Sequence, residues 1–137
     1  MFSFSFKFPM KLFRSIDAGA CQSLLSICEI QERLAGDVLY REGEASRGLY
    51  MVLRGGVKLT QRKSQNEFLL GCPSEIIGMP AVLHGPCHRH TATVMVRSLF
   101  AYINRADCLN FLRDHPKAAE AIAASSDLQL HAQESAA

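Results

Sequence analysis

What most constrains this chain is a set of glycine-punctuated apolar runs between Gly36 and Arg62, reading GDVLYREGEASRGLYMVLRGGVKLTQR. Val38 to Tyr40, Leu49 to Leu53 and Val57 to Leu59 are each bounded by glycine or by a charged, turn-prone cluster, as short strands are. Gly55-Gly56 offers two residues free to take positive φ, which predicts a tight hairpin and, with it, a β meander. Past that joint Val57 and Leu59 alternate with Lys58, Thr60 and Arg62, so the strand has one buried face and one wet face. The run Leu49-Tyr50-Met51-Val52-Leu53 does not alternate. It is expected to be a central strand covered on both sides.

At 137 residues the chain is one domain's worth, enough to bury about 68% of its unfolded surface around one core. A hydrophobic share of 48% with 20% charged residues marks a globular chain rather than a disordered one. A net charge of +2 falls far short of the basic excess that would identify a nucleic-acid binder by composition. The five cysteines, Cys21, Cys28, Cys72, Cys87 and Cys108, are odd in number and scattered. They read as reduced thiols of a cytoplasmic protein, not as a disulfide framework. Lys7, Lys11 and Arg14 interrupt the opening MFSFSFKFPMKLFRS, so neither a membrane span nor an export signal is expected there. Residues 1–11 read as a tail.

From Asp17 to Ile27 the positions Ala20, Leu24, Leu25 and Cys28 recur at helical spacing, with Asp17 or Ser15 as cap. Cys28 to Leu34 reads as a first strand with Ile30 inward. Ser64-Gln65-Asn66 reads as a polar loop, Phe68 to Leu70 as a strand and Cys72 to Glu75 as a turn. Ile76-Ile77, Thr91 to Val96 and Leu99 to Ile103 bring the set to about eight short strands, the pattern of a sandwich, jelly roll or barrel. Arg105 to Leu112 then carries Cys108, Leu109, Phe111 and Leu112 on one helix, ended by the pre-proline residue His115. Pro116 opens another with Ala118, Ala119, Ile122 and Ala123. The fold class is mainly β with flanking N- and C-terminal helices.

In this order the pieces Leu12-Phe13-Arg14, Gly36 to Glu44, Gly48 to Leu53, Gly55 with Val57-Lys58-Leu59, Pro73 to Gly78, Thr91-Ala92-Thr93-Val94 and Phe111 to Pro116 resemble a known family. It is the sensor domain of the Crp/Fnr transcription regulators, a cyclic nucleotide-binding-like fold. The resemblance implies a double-stranded β-helix, or jelly roll, over residues 12–124, with 125–137 starting a C-terminal helix or tail. It implies an effector-sensing and dimerising role, with a homodimer formed through the C-terminal helices. DNA contact would come only from a helix-turn-helix outside this chain, and no membrane is involved.

Members that bind a cyclic nucleotide use a Gly-Glu-hydrophobic turn, whose carboxylate takes the ribose hydroxyl, and an arginine that clamps the phosphate. The corresponding turn here is Gly78-Met79-Pro80. Methionine is a weak acceptor, and proline lacks the backbone donor. Counting from Gly78 puts Arg89 at the clamp, whereas anchoring on Thr91-Ala92-Thr93-Val94 puts His90 there. The candidate ligand residues are therefore Gly78, Met79, Arg89, His90 and Thr91, with an effector of unidentified chemistry and no tight binding of cyclic AMP or cyclic GMP. The alternative is an interaction module that holds no ligand.

The stretch His84-Gly85-Pro86-Cys87-His88-Arg89-His90 gathers three imidazoles and a thiol, which makes His84, Cys87, His88 and His90 secondary candidates for a metal. Their spacing fits no standard zinc pattern, and neither metal nor haem is expected. The pair His88 and His90 also suggests a metal-dependent cupin enzyme. That pattern needs a carboxylate shortly after the second histidine, where Thr91 to Val94 supply none, so no catalysis is expected.

Overall fold

The computed structural model describes residues 16–70, 76–78, 81–82, 85 and 87–121. Helix α1 (Ala18–Ile27) opens on Asp17, whose carboxylate accepts a hydrogen bond from the Ala20 N–H at 2.7 Å, satisfying one of the donors a helix start leaves unpaired. Eight strands follow: β1 (Glu29–Arg33), β2 (Val38–Tyr40), β3 (Gly48–Arg54), β4 (Val57–Gln61), β5 (Ser64–Leu70), β6 (Ile76–Ile77), β7 (Thr91–Val94) and β8 (Ser98–Asn104). Helix α2 (Arg105–Asp114) ends at His115, and the chain is helical again over 116–121. The Asn104 side chain caps α2 by accepting from the Asp107 N–H at 2.9 Å.

The strands form two four-stranded antiparallel sheets, ordered β1-β8-β3-β6 and β2-β7-β4-β5. This corrects the expected meander. β3 pairs with β8 and β6, and β4 pairs with β7 and β5, so Gly55-Gly56 carries the chain from one sheet to the other and closes no hairpin. Gly55 does take positive φ, +102°, and a Cβ there would also collide with Ser98. The hairpin of the region joins β4 to β5. Ser64-Gln65-Asn66, expected as a loop, is strand, and the turn falls at Arg62-Lys63.

The non-alternating run of β3 is explained by two cores on its two faces. Leu49, Met51 and Leu53, with Ala101 and Ile103 of β8, pack against Leu24 of α1 and Cys108 and Phe111 of α2. Tyr50, Val52 and Phe100 face the second sheet and meet Tyr40, Val57, Leu59, Ala92 and Val94. Ile30 does not turn inward as expected. It lies in β1 at the edge of its sheet and is 43% exposed. Its neighbours Gln31 and Arg33 are half-buried.

Candidate ligand-binding site

β6 ends at Gly78, whose φ of +91° favours glycine over any residue with a side chain. The position a Cβ would take there lies 3.3 Å from the Gly48 carbonyl oxygen and 3.5 Å from Cε1 of His88. The glycine turn is thus packed against β3 on one side and an imidazole on another. His88 is 4% exposed, and its ring stacks on Tyr40 with centroids 3.7 Å apart and planes 12° from parallel. Its backbone is fixed as well. The His88 N–H donates to the Glu44 carbonyl and the His88 carbonyl accepts from the Gly43 N–H, both at 2.9 Å, beside a bridge between Ala45 and Cys87. Burial pushes the His88 pKa down, against the Glu44 carboxylate, which pulls it up. The ring is neutral at pH 7.

The sequence left two residues competing for the clamp position. His90, immediately before β7, is 5% exposed, and Arg89 is exposed. The interior place therefore belongs to an imidazole, which has neither the fork of donors nor the permanent charge of a guanidinium. The Arg89 carbonyl accepts from Gln61 Nε2 at 3.2 Å. Thr91 Oγ1 accepts from the Glu42 N–H at 2.9 Å, and Glu42 Oε1 accepts from the Arg62 N–H at 2.8 Å. The turn 41–44 is the frame that holds the His88 to Thr91 segment in place. Met79 and His84 lie outside the described residues. Among those described, no group of three His, Cys, Asp or Glu side chains could hold a metal.

Beyond His88 lies a pocket of about 280 Å³. His88 lines it, but Gly78, Arg89, His90 and Thr91 do not. Its remaining wall comes from β1, β2, β3, β8 and the turn at 44–47. Sequence reasoning took Tyr50 for core alone and passed over Arg33, Arg47 and Tyr102. The available signal was the alternation of Glu29, Gln31 and Arg33, a strand whose face toward the second sheet is polar. The turn also reaches α2. The Arg47 carbonyl accepts from both the Tyr102 hydroxyl at 2.9 Å and the Arg105 N–H at 2.8 Å.

The profile of the family described as Cyclic nucleotide-binding domain matches residues 30–115. Among solved structures, the Thermus thermophilus catabolite activator protein superposes with a TM-score of 0.73 at 23% identity, covering 90% of this chain and 59% of that one. The sensor domain of the transcriptional regulator DNR from Pseudomonas aeruginosa gives 0.69 at 21%, covering 82% of each. The N-terminal domain of a transcriptional regulator from Streptomyces coelicolor gives 0.65 at 25%, covering 91% of this chain and 90% of that one. This chain spans 59% of the length of the Thermus protein. No curated protein sequence matches it.

Proposed function

This chain belongs to the cyclic nucleotide-binding domain family, and from that premise we propose that it is the effector-sensing domain of a Crp/Fnr-like transcription regulator that does not hold cyclic AMP or cyclic GMP tightly. The expected resemblance and the jelly roll are both present in the fold. The observation that carries the ligand reading is His88. A neutral imidazole stacked on Tyr40 stands 3.5 Å from where a Cβ of Gly78 would be, in the space above the glycine turn. The interior residue before β7 is His90, and the exposed one is Arg89. Met79 offers no strong acceptor for a sugar hydroxyl and Pro80 no N–H. Each lost hydrogen bond to a charged partner is worth about 1.5–3 kcal/mol, so losing carboxylate and clamp together weakens binding by about two to four decades.

In this reading an effector event near His88 is passed through the 43–47 turn to the first residue of α2. It shifts the helices after Arg105 between two arrangements of a homodimer. DNA is reached through a separate helix-turn-helix, and the protein works in the cytoplasm. No helix among the described residues is long and apolar enough to cross a membrane. The reading includes no catalytic step and no resident metal or haem.

Titration calorimetry with cyclic AMP and with cyclic GMP tests the ligand reading. The expected result is no saturable heat at micromolar concentration. A clear micromolar isotherm with either nucleotide overturns it.

A further inference from the structure

We propose that the pocket beyond His88, which meets the glycine turn through His88 and Gly48, is a binding site for a small aromatic carboxylate. Its position comes from the topology. β1 and β2 are edge strands of the two sheets, and residues of both line the pocket. Gly78 follows β6. The pocket is lined by residues of β1 and β2, with β3 and β8 behind them, and by none of the residues from Arg89 to Thr91.

The lining has the chemistry for such a ligand. Tyr40, Tyr50 and Tyr102 all contribute, with ring centroids of Tyr50 and Tyr102 4.9 Å apart and those of Tyr40 and Tyr50 6.5 Å apart. His88 adds a fourth ring. These are flat walls suited to an aromatic body. Arg33 and Arg47 supply two guanidinium groups. Gln31 Oε1 accepts from Arg33 Nε at 3.2 Å and from Nη2 at 2.9 Å. This orients one edge of the fork and leaves Nη1 without a partner among the described residues. The Arg47 guanidinium makes no hydrogen bond or ion pair among them, since its bonds are through its backbone carbonyl. Both cations act on the Tyr50 hydroxyl, whose pKa is raised chiefly by burial and pulled back by Arg33 and Arg47.

The opposing charges are Glu44, exposed and in the lining, and Glu29, outside the lining with its carboxylate bonded to Gln31 Nε2. Two guanidiniums against one lining carboxylate favour an anion, and a planar fork matches a carboxylate in two hydrogen bonds. At about 280 Å³ the pocket lies just below the usual range for drug-sized ligands. One ring and one carboxylate fit within it. A ligand held by Arg47 would act on the residue whose carbonyl anchors α2.

The chain contains three tyrosines and all of them line this pocket, so tyrosine-selective isotope labelling reports on it alone. Benzoate is the probe in an NMR titration of labelled protein. The expected result is saturable movement of the Tyr40, Tyr50 and Tyr102 signals. Benzyl alcohol, the same ring without the charge, and inorganic phosphate, a charge without the ring, should each leave them in place. Arg47→Ala should weaken benzoate by about tenfold or more. Arg47 is exposed, so that variant keeps the fold, and Arg33→Lys tests the second cation without emptying the half-buried site. Immobile tyrosine signals, an equal response to benzyl alcohol, or undiminished affinity in Arg47→Ala each overturn the proposal. A nucleotide isotherm would overturn the preceding reading and leave this one standing.

Discussion

His88 carries its imidazole where burial opposes protonation, and that sets a pH dependence of known sign. Its folded pKa lies below the ordinary value of 6.5. As the pH falls below about 6.5 the unfolded chain takes up a proton that the folded chain resists. Stability is therefore lost on acidification until the pH passes the folded pKa. Glu44 reduces the effect, since its carboxylate favours the charged ring. Replacing the residue by phenylalanine keeps a ring on Tyr40 and removes the titration. Thermal melts of wild type and His88→Phe should diverge between about pH 7 and pH 5, with the variant losing less. Parallel curves would show that His88 does not titrate differently on folding. What the sequence offered for a site was a set of candidates next to one another in the chain. Gly78, His90 and Thr91 lie on one short stretch whose order could be matched to a family. Arg47 and Tyr102 were not legible, because strands distant in the chain bring them to one pocket, and Arg33 showed only as one of the polar residues alternating along β1.

At the scale of elements, the strands were visible and their partners were not. Alternation and glycine bounds located β2, β3, β4, β6, β7 and β8 to within a few residues. A glycine pair looks the same whether the chain doubles back in its own sheet or crosses to another, and pairing between distant strands leaves no mark in either sequence alone. The crossing at Gly55 has its own test. An added Cβ would sit 2.6 Å from Ser98 Cβ and 2.8 Å from Ser98 Cα, on backbone already in the left-handed region. The Ser98 hydroxyl also accepts from the Gly56 N–H at 3.1 Å and donates to the Val96 carbonyl at 2.7 Å, so it cannot move aside without losing both. Gly36 has nearly the same φ, +92°, with nothing within 4 Å of its missing Cβ. Gly36→Ala should cost about 1 kcal/mol, the backbone penalty alone. Gly55→Ala should cost about 2–4 kcal/mol, with the steric term added. Urea unfolding of the two variants measures both, and equal losses would mean the Ser98 contact is relieved without strain.

For the whole molecule, the sheet β1-β8-β3-β6 is common property of two cores, since Met51 faces the helices and Val52, the next residue, faces the other sheet. Neither core can lose its packing while the other keeps an intact wall, which predicts a single cooperative transition. All three tyrosines lie on the roll side and the helices on the other. Tyrosine fluorescence therefore follows the roll alone, whereas far-ultraviolet circular dichroism follows the helices together with the strands, and their urea curves should coincide. Separate midpoints would mean that the helices leave first and the roll stands alone.

The pairing of Glu29 with Tyr102 has a further consequence for how the protein is made. β1 leaves the ribosome early, yet the partners that complete its ladder are synthesised 65 to 73 residues later. Until then a growing polypeptide carries an unmatched edge through the crowded cell. The late-made segment from Ser98 to Asn104, paired with β1 on one side and β3 on the other, acts as the clasp that ends that exposed interval.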